Sequence, residues 1–186
     1  MKRQVFFLIL ILYVGALGAR DTVLKLYRPF GDSTSKEALV VVRSLLGECS
    51  QQSKLTLRED AWRCVAEGQF FDPCFAPLGA NQTRVLCPSS AWSREAVQIE
   101  VNSPLDNQEH QRLDMSRAFP WAIELADGER CHAIEANQTF DSMPIRYRCS
   151  NQNSLMGTIQ RCDPQWSMLE KTPHGVVTKP LTFVWF

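Results

Sequence analysis

The sequence predicts an α+β domain: a small, twisted, mostly antiparallel sheet with one or two N-terminal helices, stapled by disulfides. Three observations carry that expectation. Helix-like patterning lies before residue 66, strand-like alternation dominates after it, and seven cysteines occur in a chain with an export-type N-terminus. All-β is the nearest alternative class.

The first element is "MKRQVFFLILILYVGALGAR". Lys2 and Arg3 precede an apolar run from Val5 to Val14, and small residues follow. This is the three-part layout of a secretory signal peptide over residues 1–18. Cutting after Gly18 puts Ala16 and Gly18 at the small-residue positions, whereas cutting after Ala19 would leave Leu17 at one of them. The run is too short to span about 30 Å of hydrocarbon comfortably, and no second apolar segment follows. The expectation is one secreted domain over residues 19–186, secreted or periplasmic, monomeric, with no integral membrane segment after cleavage. The chain has 20 basic and 20 acidic side chains and no basic block, so it has no electrostatic footprint for nucleic acid.

Partial strand character at 22–27 is closed by Pro29 and Gly31. "STSKEALVVVRSLLG" reads as a helix, with Thr34 and Glu37 at capping-box spacing, Ala38, Val41, Val42 and Leu45 on one face, and Gly47 at the stop. The run Val40–Val42 argues against it, because β-branched residues prefer strands. "TLREDAWRCV" is a second helix candidate, with Thr56 and Glu59 as caps and Leu57, Ala61, Trp62 and Val65 as its buried side. Residues 68–80 are rich in Gly and Pro and read as a constrained loop. Short strands follow at "TRVLCP" and "AVQIEV". "NSPLDNQEHQRLDMSRAF" is a polar surface excursion, and "PWAIELADGERCHAIEA" is a hairpin about a D-G turn. "MPIRYRC", "LMGTIQRC" and "VVTKPLTFVWF" supply the last strands, with Pro180 suited to an edge or bulge.

Cysteine spacing bounds the chemistry. No C-x2-4-C pair suits structural zinc, and no C-x-x-C suits a redox site. No metal and no cofactor are expected. Disulfides are the better reading in an exported chain. Pairing neighbours gives Cys49–Cys64, Cys74–Cys87 and Cys131–Cys149, although sequence alone leaves connectivity open. Cys162 is then the free thiol. Its place between Ile159 and Trp166 favours partial burial.

The strings "GEC", "DAWRC", "DPCF", "VLCPSSAW", "PWAIELADGERC" and "YRC" together resemble a poorly characterised family of secreted bacterial cysteine-containing domains, found in envelope-associated and exported proteins with no established catalytic activity. The resemblance runs from about residue 45 to the C-terminus. It carries over Cys49, Cys64, Cys74, Cys87, Cys131 and Cys149, and it does not demand Cys162. A bacterial origin would make the N-Q-T sites at Asn81 and Asn137 ordinary turn residues.

No nucleophile elbow, H-E-x-x-H, Walker or dinucleotide glycine pattern occurs. Ser90, His132 and Asp127 could be assembled into a triad in any chain of this size. Asp72, Glu124 and Asp127 could supply paired carboxylates for glycoside chemistry. Neither set has a specific signal. The expected function is therefore a non-catalytic binding or structural module of the envelope or extracellular space, contacting a protein or glycan. A secreted hydrolase acting on glycans or peptides is the alternative. Trp62 and Trp121 are assigned to the core. Phe70, Phe71, Phe75 and Trp92 are the candidate binding residues, the three phenylalanines held on the loop by Cys74.

Overall fold

A computed structural model describes residues 21–31, 39–79 and 81–186. The signal-peptide reading, the cap residues Thr34 and Glu37, and Ala38 of the expected apolar face lie outside the described residues. The described chain contains thirteen strands and no helix, which corrects the α+β expectation to all-β.

After the short strand β1 (Val23–Lys25), the strands β2 (Val40–Gln52), β3 (Ala61–Ala66), β4 (Gln69–Phe75), β5 (Arg84–Pro88) and β6 (Glu95–Val101) form a closed barrel. Each consecutive pair is antiparallel. In a meander of five strands the first and last run in the same direction, so closure must be parallel. β2 and β6 do pair in parallel.

Both helix expectations fail here for the same reason, the period of burial. Leu45 is 8% exposed and its neighbour Leu46 is 71% exposed. Trp62, Cys64 and Ala66 face inward while Val65 faces out. That is alternation by two, the signature of a strand. At residue 56 the capping pattern is replaced by a turn. The Oγ of buried Ser53 accepts the N–H groups of Leu55 and Thr56, each at 3.1 Å. The expected loop at 68–80 is largely strand β4. The chain reverses just before it, at Glu67 and Gly68, whose φ values are 50° and 74°. Two consecutive positive φ angles suit a two-residue hairpin turn, and glycine adopts one without strain.

The second barrel consists of β7 (Ala122–Leu125), β8 (Arg130–Ala133), β10 (Met143–Cys149), β11 (Ser154–Gln160), β12 (Ser167–Thr172) and β13 (Gly175–Trp185), with β9 (Thr139–Phe140) paired onto β10. An even meander closes antiparallel, as β7 and β13 do. β13 pairs with β12 through Pro180 and with β7 from Leu181 onward, while β1 lies parallel along its last residues. Pro180, which has no N–H to offer, stands where β13 changes partner. The β7–β8 turn has Gly128 at φ 84°.

Two apolar clusters fill the structure. One, with Leu45, Trp62, Val85 and Ile99, lies inside the first barrel. The other fills the second barrel and takes in Ala61 and Phe75 from the first. Phe75, Tyr27 and Trp121 meet there, with ring centroids 5.0–5.6 Å apart. Burial pushes the Tyr27 hydroxyl up to about 12. Arg58, 1% exposed, crosses the same region. It holds Asp60 through two bonds of 2.6 Å and donates to the main-chain oxygens of Tyr27 (3.0 Å) and Phe186 (2.7 Å).

Candidate functional site

The structure pairs Cys49 with Cys64, Cys74 with Cys87, and Cys131 with Cys149. Each bridge joins facing residues of adjacent antiparallel strands, with Cα atoms 3.9–4.1 Å apart. Such close approach belongs to directly opposed, non-hydrogen-bonded pairs. Cys162 is free and exposed rather than partly buried. It lies past the end of β11, where the inward alternation that buries Ile159 has stopped.

The four candidate binding residues do not form one patch. β4 sends Phe71 and Phe70 to opposite sides, as a strand must. Phe71 packs against the cluster inside the first barrel. Phe75 is fully buried between the barrels, beneath the Arg58 guanidinium at 5.0 Å. Trp92 is half-buried, edge-on to Trp185 at 5.0 Å and overlain by Arg130. Only Phe70, 67% exposed, is presented to solvent.

Phe70 has apolar company that the sequence reading did not name. It stands directly opposite Val65 on β3, and Val65 stands opposite Glu48 on β2. Leu46 lies two residues from Glu48, on the same outer face. Register thus brings Leu46, Val65 and Phe70 together on the outside of the first barrel, within the reach of cross-strand neighbours. Val40, Val41 and Val42 are also exposed on β2, although alternation sends neighbouring residues to opposite sides. The signal for this face was present in the alternation of Leu45 with Leu46 and of Cys64 with Val65, once the segments are read as strands.

The face is firmly mounted. The Arg63 guanidinium lies 4.5 Å over the Phe70 ring and is ion-paired to Glu135 of the second barrel. Lys54 approaches the same carboxylate at 3.7 Å. Behind them, Asp72 accepts hydrogen bonds from Ser53 Oγ and from the Lys54 N–H at 3.0 Å. Burial raises the Asp72 pKa, and those hydrogen bonds offset it only in part. At the other end, one side of β2 has no strand partner among the described residues. β6 covers one side of residues 40–47, while β3 covers the other side only from Gly47 onward.

Glu124 is ion-paired to Arg130 at 3.5 Å and Asp127 to Lys179 at 2.6 Å. No hydrogen bond joins Ser90, His132 and Asp127 among the described residues. His132 is exposed on β8, its pKa lowered by desolvation and then by the Arg148 charge. Among the described residues no group of three His, Cys, Asp or Glu side chains could hold a metal. No helix there is long and apolar enough to cross a membrane. No family model, curated protein or solved structure matches the chain.

Proposed function

We propose that the chain is an exported, non-catalytic binding module that contacts a partner protein through the outer face of its first barrel, centred on Phe70. The observation that supports this is the exposed apolar set Leu46, Val65 and Phe70 on adjacent strands, with Phe70 directly opposite Val65 and Leu46 diagonal to Val65, beside Glu48. Scattered surface hydrophobes are ordinary, but aligned ones mark contact surfaces. Aromatic side chains supply the strongest anchors in such surfaces. Arg63 braces Phe70 on one side, which lowers the ordering cost of contact. The side of β2 that has no strand partner among the described residues adds main-chain donors and acceptors that an extended partner segment can meet. Three disulfides are compatible with an oxidising compartment, and the envelope or extracellular space is the proposed place of action.

A photo-crosslinking residue at position 70 tests the contact, with one at Val176 on the second barrel as the control. The expected result is a product in native envelope extract from position 70 alone, lost in the Leu46→Ser background. Phe70→Ser and Leu46→Ser should each leave the melting temperature within about a degree, since exposed substitutions change stability little. The same product from both positions, or its persistence in Leu46→Ser, would reject this face as the contact.

A further inference from the structure

We infer a second binding site, distinct from the Phe70 face, for the C-terminal residue of a peptide chain. Its carboxylate would lie on Arg146 and its apolar side chain in a hollow between the two barrels. The β2–β3 connection contributes Lys54, Leu55 and Leu57 to the lining, and the second barrel with its flanks contributes Phe119, Ile134 and Arg146. Junctions between domains are frequent places for ligand sites. Lys54 is the one residue that this hollow shares with the mount of Phe70.

The first observation is a guanidinium without a counter-ion. Arg146 is half-buried and donates from Nε to the Gly157 carbonyl at 2.9 Å. Its guanidinium lies 4.0 Å over the Phe119 ring. Phe119 is itself a wall of the hollow, so the charge is held against that wall. Arg146 has no ion-pair partner among the described residues. The Gly157 bond occupies only Nε, and the two terminal amino groups form a fork that suits a carboxylate.

The second observation is the charge of the lining. Its charged side chains are Lys54 and Arg146, and no carboxylate lines it. The carboxylates around Lys54 are already engaged. Glu135 is shared by Arg63 and Lys54, and Asp72 accepts from Ser53 Oγ and the Lys54 N–H. An anion is therefore favoured over a cation.

The third is size and preformation. The hollow measures about 160 Å³. Whole small-molecule sites occupy about 300–1,000 Å³, whereas an apolar cavity of about 150 Å³ holds a molecule the size of benzene. It thus takes one apolar side chain, and the rest of the ligand lies outside, where Leu57 is 42% exposed. A chain end carries a carboxylate and a side chain on the same carbon, so one residue meets both features. Leu55 and Phe119 pack on the apolar cluster shared by the barrels, and the Ile134 N–H is bonded to the Arg146 carbonyl at 2.9 Å. These walls need not be ordered by the ligand.

Calorimetry and backbone amide shifts with the peptide acetyl-Ala-Ala-Leu test the site. The controls are its C-terminal amide, acetyl-Ala-Ala-Asn and free 4-methylpentanoate. The acid peptide should bind, shift the amides of residues 54–57, 134–136 and 146, and exceed both peptide controls by about tenfold or more in affinity. The free acid, which lacks the chain outside the hollow, should bind more weakly than the peptide. Arg146→Gln should bring acid and amide to equal affinity. Ala136 is exposed and lines the hollow, so Ala136→Phe should fill it and abolish binding while the melting temperature holds. That variant decides the matter if Arg146→Gln loses stability with its Gly157 bond. No binding by the acid peptide, equal affinity for acid and amide, a free acid that binds as tightly as the peptide, or binding indifferent to Ala136→Phe would each overturn the proposal.

Discussion

Arg58 carries more of the structure than its place in a sequence suggests. Its guanidinium spends its donors on one carboxylate and two main-chain oxygens, all withdrawn from water. Replacing it with Met keeps the bulk but leaves Asp60 buried with only the longer Arg28 contact at 3.3 Å. Removing one partner of a buried pair costs about 3–5 kcal/mol. Chemical denaturation of Arg58→Met should show a loss of that order, and a loss under about 1 kcal/mol would deny Arg58 this role. Asp72 makes the opposite kind of contribution. Its folded pKa is raised by burial. The stability tied to its protonated form is present below the unfolded carboxylate value and is lost as pH rises through the folded value. Asp72→Asn should therefore gain relative to wild type between about pH 3 and pH 7. Melting curves at the two pH values check the sign, and an unchanged difference would remove Asp72 from the pH response. Neither role was legible in the sequence. Arg58 and Asp60 form an unremarkable R-E-D string, and only convergence with Tyr27 and Phe186 buries them.

At the scale of elements, β2 shows why a helix was expected and why a strand forms. Ala38, Val41, Val42 and Leu45 satisfy helical spacing, but so short an apolar set fits both periods. The three valines and the long-range pairing to β6 decide the outcome, and tertiary context commonly overrides propensity. Gly47 likewise fits a helix stop, yet in the barrel it serves close packing. A Cβ there would meet the Val65 carbonyl at 2.5 Å, Ala66 Cβ at 2.9 Å and Ile99 Cγ2 at 2.9 Å. Two of those contacts lie on the β3 backbone and its first side-chain carbon, which cannot rotate away. Gly47→Ala should destabilise by about 1–3 kcal/mol through overpacking. In an exposed helix interior the same change would stabilise, so the sign of the measured difference separates the two conformations. Most strands after residue 84, though not the two-residue β9, were legible because alternation there is regular and the D-G turn is specific. β12 was missed because Ser167–Thr172 mixes polar and apolar residues, and Glu170 is buried against Asn153 and Lys179 rather than exposed.

For the whole molecule, the main consequence of the sequence that could not be read is the join between two barrels. Parity explains how each barrel closes, but strand count is visible only after the strands are recognised. The join itself depends on residues far apart in the chain: Tyr27 and Phe75 meet Trp121, and Glu135 reaches across to Arg63. One apolar cluster therefore belongs to both barrels. Local openings that separate them would expose Phe75 and strand Arg58, so the barrels should unfold together. With the disulfides intact, Phe75→Ala should cost about 3–5 kcal/mol, the range for removing a buried aromatic ring. If the cluster couples the barrels, hydrogen exchange should show similar losses of protection in β5–β6 and in β10–β11, although Phe75 lies on β4. Calorimetry should still give one transition, with calorimetric and van't Hoff enthalpies in agreement. Loss of protection confined to the first barrel, or a second transition in the wild-type protein, would show that the barrels fold independently and that the shared cluster is only a contact between them.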